Sequence, residues 1–500
     1  MKKNFLILLV SVILSVVFAL NAFCEEIELR VLYMNDFHGF AEEQKSDFKG
    51  KMVGGIAYLA GMVDRLRKER QSIFLAAGDM IQGSNWANLF KGRPVIEVMN
   101  RMGFDAMVIG NHEFNFGVDI LRQRISEASF PCLGANIIGL EGIKPFVIKE
   151  LKGVKIAITG LTTEETPIYT HPDNVKGLIF QPSSEVAERL VKKLRDRADV
   201  IIILSHLGFH NDMILAQRVE GIDIIIGGHS HTKIEKPVSI GKTIIVQAWE
   251  HGKVLGVLDL TLKDGKIRDF SGRLEDIVPS DKAKNNDVLK IVKRYKNRLK
   301  KVVSEKIGIT EVDLDGENGN KRETNFGNLV ADIVRERAQS DIAIINGGSI
   351  KIGIRKGWIT MGQIYDALPF NNYIVSVKMK GKDIIEALRH GTNTREDNAG
   401  RFPQVSGISF IFSRVQGGGT IIKEVIFKGR PIDPDGEYTV ATTDFLMAGG
   451  DGYKVFRGHI NSHMFLYQEP GRWIRDLVVD YIRDKKSINP VVEGRIIELK

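Results

Sequence analysis

The sequence predicts an α/β protein of two domains joined by a helix. Its 500 residues exceed what one ordinary hydrophobic core absorbs, so more than one domain is expected. From residue 27 to about 277, short apolar runs alternate with stretches of helical periodicity. A basic amphipathic stretch at 287–304 then separates this half from a second α/β-patterned half. With 43% hydrophobic and 26% charged residues and no low-complexity tract, the composition is that of a folded globular protein and excludes a disordered or collagen-like chain.

The first 24 residues read as a secretory signal. Lys2 and Lys3 form a positive start, Phe5 to Ala19 is almost unbroken apolar sequence, and small residues around Ala22-Phe23-Cys24 offer a cleavage point. The apolar run is short for a membrane span of about 20 residues, and nothing later in the chain is apolar enough to cross a bilayer. The mature protein is therefore expected to be periplasmic or secreted. Phe23 is too large for the residue before a lipidated cysteine, so anchoring through Cys24 is not expected. Without Cys24, Cys132 has no intrachain partner and no disulfide forms. The net charge of +8 falls to +6 without Lys2 and Lys3, a mild excess that favours anionic substrates. No dense basic stripe is interleaved with aromatics, which argues against nucleic-acid binding.

In the first half, 27–34, 73–77, 106–109, 155–159, 199–204 and 223–226 are short runs rich in Val, Ile or Ala, bounded by Gly and polar residues. They read as buried strands. Ile56, Leu59, Val63 and Leu66 fall at helical spacing, as do Val186, Leu190 and Leu194 after a candidate N-cap at Ser183 or Ser184. In 287–304, Val288, Ile291, Val292, Tyr295, Leu299 and Val302 form one stripe among Lys and Arg. Such a helix can bind a membrane surface or calmodulin, but its place between two patterned halves favours a connector. Beyond it, Thr324-Asn325-Phe326 opens a helix, 341–345 is a strand ending in Asn346-Gly347-Gly348, and 438–442 is another ending near Gly449-Gly450-Asp451-Gly452. The expected boundaries are 1–24 for the signal, 25–285 for the first domain, 286–307 for the linker helix and 308–500 for the second domain.

The polar residues that can do chemistry sit where the first half's strands end. Asn35-Asp36-Phe37-His38 follows the first, Gly78-Asp79 the second and Gly110-Asn111-His112-Glu113 the third. Ser205-His206 and Gly227-Gly228-His229-Ser230-His231 follow the last two. Any one of these histidines is better explained as structural. Five of the chain's eleven histidines at strand ends, beside Asp36, Asp79 and Asn111, are not. Imidazole and oxygen donors on a rigid sheet suit a dinuclear site for Zn, Mn, Co or Fe rather than Ca.

The ordered set D-x-H, GD, GNHE, SH and GGHSH resembles the calcineurin-like metallophosphoesterases. Asn346-Gly347-Gly348-Ser349-Ile350, Leu368-Pro369-Phe370-Asn371 and the run from Thr443 to Tyr453 resemble the C-terminal domain of 5′-nucleotidases. Together they cover essentially the whole chain and identify it as similar to the 5′-nucleotidase, UDP-sugar hydrolase and 2′,3′-cyclic phosphodiesterase family. The resemblance implies a four-layer α-β-β-α catalytic domain, a linker helix and an α+β second domain. It implies two divalent ions, one held by Asp36, His38, Asp79 and His231, the other by Asp79, Asn111, His206 and His229. His112 then stabilises the transition state or protonates the leaving oxygen, and Asn115 orients it. Asn346, Lys351 and Arg355 would contact the substrate, with Phe402 and Tyr453 sandwiching the base.

Two positions depart from the family pattern. Asn115 stands where many members carry an Asp, so it cannot offer a full charge to an imidazolium. By the resemblance, the Asn form belongs with the cyclic-phosphodiesterase branch, which shifts weight towards 2′,3′-cyclic or 3′-nucleotides. Lys351 replaces an Arg and offers a point charge in place of a bidentate fork, so the contact could move to Arg355. The expected substrates are nucleotides. A UDP-sugar pyrophosphatase or sulfur-ester hydrolase on the same scaffold, and a surface binding protein without catalysis, remain alternatives.

Overall fold

The computed structural model describes residues 26–45, 52–170, 172–279, 284–393, 400–415, 419–458, 465–468 and 472–499. The signal segment 1–24 lies outside them. The chain divides into two compact units. The first comprises Met1–Glu113, Val118–Thr166 and Gly177–Val292; the second comprises Phe114–Gly117, Pro167–Lys176 and Lys293–Lys500. The division falls inside the helix Asn286–Val303, which occupies nearly the stretch read as a connector.

The first unit is built on two six-stranded sheets. At the centre of one, Ile27–Met34 pairs in parallel with Ser72–Ala76, which pairs in parallel with Ala106–Val108. In the other, Val200–His206 lies in parallel between Val154–Thr162 and Ile224–Gly227. One cluster of buried side chains draws on both sheets: Val31, Ile73 and Val108 from the first, Ile156, Ile202 and Ile224 from the second. The sheets therefore pack face to face. The far side of the second sheet buries Ile201, Ile203 and Ile225 against Val186, Val191 and Leu215 of the helices Ser183–Leu194 and Phe209–Arg218. Burial on both faces explains why these strands read as unbroken apolar runs rather than as alternating ones.

Two local features differ from the sequence reading. Ser183 and Ser184 do not cap their helix; Pro182 occupies the cap position, and the Ser183 N–H donates to the Glu164 carboxylate instead. The hairpin of Val254–Lys263 and Lys266–Asp276 extends the first sheet's edge. Asp264 and Gly265 turn it, both at positive φ, 54° and 69°, as a two-residue hairpin turn requires.

The second unit centres on a five-stranded sheet ordered Pro403–Ser406, Ile342–Asn346, Glu437–Thr443, Ile374–Lys380 and Phe465–Gln468. The helix Asn325–Arg337 starts where expected, with the Thr324 hydroxyl accepting the Gly327 N–H at 3.0 Å.

Candidate metal centre

The polar residues expected at strand ends converge at the carboxyl ends of the parallel strands, where α/β sheets place their sites. Asp36, Asp79, Asn111 and His206 are each at most 1% exposed. The ligand atoms of Asp36, His38 and His231 lie within 4.8 Å of one another, and those of Asp79, His206 and His229 form a second such group. Asp79 stands between them, its Oδ2 3.0 Å from His206 Nε2 and 4.0 Å from His38 Nε2. The Asn111 amide oxygen faces His206 Nε2 at 3.1 Å.

The Nδ1 partners of these rings fix their orientation. His38 Nδ1 lies 2.8 Å from the Gln82 carbonyl oxygen, and His206 Nδ1 lies 2.8 Å from that of Ala77. A carbonyl only accepts, so both rings carry their proton on Nδ1. His231 Nδ1 lies 2.8 Å from the Glu250 carboxylate and is protonated for the same reason. His38 Nε2 and His231 Nε2 then face each other at 3.2 Å. His206 Nε2 faces the oxygens of Asp79 and Asn111 at 3.0 and 3.1 Å, and although burial opposes it, the Asp79 carboxylate pushes this imidazole up to about 10, so its Nε2–H donates to them. Imidazole nitrogens and carboxylate oxygens gathered this closely fit cations.

The backbone pays for this convergence. Asp36, His38, Asp79, His229 and His231 all hold positive φ, between 45° and 72°, a conformation costing non-glycine residues about 1 kcal/mol or more and found where function requires it. Two glycines let the loops close up. A Cβ on Gly228 would lie 2.3 Å from the Ala77 oxygen, and one on Gly110 would lie 2.3 Å from Asp79 Oδ1.

Charge follows burial. Desolvation pushes Asp36 up to about 6 and His38 and His229 down to about 3, so those imidazoles are neutral and ready to donate a lone pair. Asp79 is also buried, yet the facing His206 and His112 hold its carboxyl well below the usual range.

His112 is anchored beside this group, its backbone N–H donating to Asp79 Oδ1 at 2.9 Å. It opens the 3₁₀ turn His112–Phe116, in which Asn115 is buried. In the second unit, buried Asn346 donates from Nδ2 to Asp451 Oδ2 at 2.8 Å. The Lys351 ammonium lies 5.2 Å from the centre of the Phe370 ring. Arg355 is almost wholly exposed and pairs with Asp313 at 2.8 Å. The expected base sandwich differs most from expectation. Phe402 and Tyr453 are 1% and 0% exposed within the second unit's core, and the Tyr453 hydroxyl donates to the Arg401 carbonyl at 2.6 Å. Neither ring offers a free face, because the Gly-rich loop turns Tyr453 inwards onto Phe456.

Several supporting residues were given no role by the sequence reading. Glu113 is wholly buried and accepts four backbone N–H groups, from Gly110 at 2.7 Å, Asp79 at 2.9 Å, Met80 at 2.7 Å and Ile81 at 3.2 Å. It ties the Asp79 loop to the Asn111 loop. Its position beside Asn111-His112 was the available signal. Asn35 was likewise read only as part of its motif, and Glu250 was not read at all.

Residues 29–233 match the family model for calcineurin-like phosphoesterases, and residues 306–458 match that for the 5′-nucleotidase C-terminal domain. The snake venom 5′-nucleotidase of Crotalus adamanteus is 31% identical over 96% of this chain and 90% of its own length. The chain belongs to the 5′-nucleotidase family. It is accordingly a phosphoester hydrolase with a mixed α/β fold of two domains, in a family that uses divalent metals. The trifunctional nucleotide phosphoesterase protein YfkN of Bacillus subtilis is 32% identical over 94% of the chain, which spans about a third (35%) of YfkN's length. A crystal structure of a 5′-nucleotidase precursor from Thermus thermophilus covers 95% of the chain at 31% identity, with a TM-score of 0.62. No helix among the described residues is long and apolar enough to cross a membrane.

Proposed function

We propose that this chain is a secreted phosphoesterase that uses two divalent ions to hydrolyse nucleotide phosphate esters to nucleoside and phosphate. The observation that carries the reading is the gathering of Asp36, His38 and His231, and of Asp79, His206 and His229, into two groups whose ligand atoms lie within 4.8 Å of one another. Asp36, His38 and His231 would hold one ion and Asn111, His206 and His229 the other, with Asp79 shared. Zn, Mn, Co and Fe all suit these donors. Two ions so held supply a nucleophile at neutral pH and neutralise the charge of an in-line phosphoryl displacement. His112, whose backbone N–H donates to Asp79, would give a proton to the leaving oxygen. The charged and apolar stretch at 1–24 and the likeness to venom enzymes support export.

The test is phosphate release from 5′-, 3′- and 2′,3′-cyclic nucleotides and UDP-glucose, with Mn or Zn added to metal-free protein. Turnover of 5′-nucleotides above the others is expected. Asn115 in place of an acidic residue favours a second reading as a 2′,3′-cyclic phosphodiesterase and 3′-nucleotidase, which preferential turnover of those esters would establish. No metal-dependent release from any of them would refute both.

A further inference from the structure

Among the proposed ligands, the three histidines with described Nδ1 partners do not lean on equal supports. Those of His38 and His206 are peptide oxygens, whereas that of His231 is the ionised side chain of Glu250. Glu250 is itself held. Its other oxygen takes the Lys253 ammonium at 2.6 Å. The residues on either side are pinned to the loop that carries Asp36: the Trp249 carbonyl accepts Asn35 Nδ2 at 2.6 Å, and the His251 N–H donates to the Asp36 carbonyl at 2.8 Å. Trp249 and His251 both keep positive φ, 52° and 57°, so the backbone is bent to present Glu250 there. His231, Glu250 and His251 also have ligand atoms within 4.8 Å of one another. An ammonium already bound to that carboxylate repels a cation, so the trio does not form an ion site of its own.

We propose that Glu250 is the positioning residue of His231, and through it raises cation affinity selectively at the Asp36–His38–His231 half of the centre. The carboxylate keeps the proton on Nδ1, aims Nε2 at Asp36 Oδ1, 3.4 Å away, and makes the imidazole a stronger donor. The inference rests on the two-ion reading.

The experiment titrates metal-free protein with Mn²⁺, or with Zn²⁺, following stoichiometry and affinity by calorimetry and elemental analysis. Wild-type protein taking up fewer than two ions overturns the two-ion reading itself. Given two, Glu250→Ala should weaken one ion by about 10–100-fold and leave the other unchanged. Glu250→Gln keeps an acceptor for Nδ1–H but loses the charge, and should fall between. Raised metal should restore the kcat of Glu250→Ala with KM unchanged. His251→Phe should keep both affinities. Wild-type affinities in both Glu250 variants overturn the proposal. Should Glu250→Ala lower the melting temperature of the metal-free protein, Glu250→Gln decides alone. A third ion bound by the wild type and lost in Glu250→Ala would make the trio a cation site and also overturn it.

Discussion

Replacing Glu113 with Gln changes one atom type and almost no volume, yet it should destabilise the first unit more than most substitutions at the centre. Oε1 accepts the N–H groups of Met80 and Ile81, and Oε2 accepts those of Asp79 and Gly110. An amide keeps one oxygen and puts an NH₂ in place of the other. Whichever way it is turned, two backbone donors then face a donor in a site closed to water. Each orphaned buried donor costs about 1–3 kcal/mol, so Glu113→Gln should lose about 2–6 kcal/mol. That is a large part of a stability that is typically about 5–15 kcal/mol. Urea denaturation of metal-free protein in chelator measures this without a contribution from bound ions. The same variant should bind metal more weakly, because Asp79 is one of the four donors. A loss below about 0.5 kcal/mol with unchanged metal affinity would refute the idea that this carboxylate holds the two ligand loops together.

Asp79→Asn should lower the affinity of both ions at once and abolish most turnover, since its carboxylate faces both groups of ligands; elemental analysis finding one ion fully retained would contradict a shared role. His112→Ala should keep both ions and lose about 10²–10⁴-fold in kcat, the range of general acid–base catalysis, and loss of metal would reassign His112 as a ligand. Tyr453→Ala should cost the second unit about 3–5 kcal/mol, as truncation of a fully buried aromatic does. If instead its stability held while KM rose for nucleotides and not for p-nitrophenyl phosphate, the base-stacking role would stand. The Cys132 thiol, 3% exposed and pushed up to about 12 by burial, should resist alkylation in native protein at pH 8 and react only on unfolding.

What the sequence discloses and what it hides divide along one physical line. Strands buried on both faces are apolar runs, and the first polar residues after them lie at the sheet's carboxyl edge. Asp36, Asp79, Asn111, His206, His229 and His231 could therefore be placed from local pattern alone. The groups that hold them in place could not. Asn35 and Trp249 are 214 positions apart, Glu113 and Asp79 are 34 apart, and His231 and Glu250 are 19 apart. Each contact exists only after the sheets have folded, and no periodicity foreshadows it. Two misses were local. Asp264-Gly265 between β-rich runs is a hairpin signal, and a Gly-rich loop sets where its backbone runs but not which way Tyr453 points. The positive φ of five proposed ligands belongs with the hidden part, because Asp and His carry no mark of it as Gly would. Strained ligands need a frame that holds them before any ion arrives, and Glu113 and Glu250 supply it from outside the ligand set. Substitution at either should thus disturb metal binding while every proposed ligand is still present, which separates the frame from the ligands it carries.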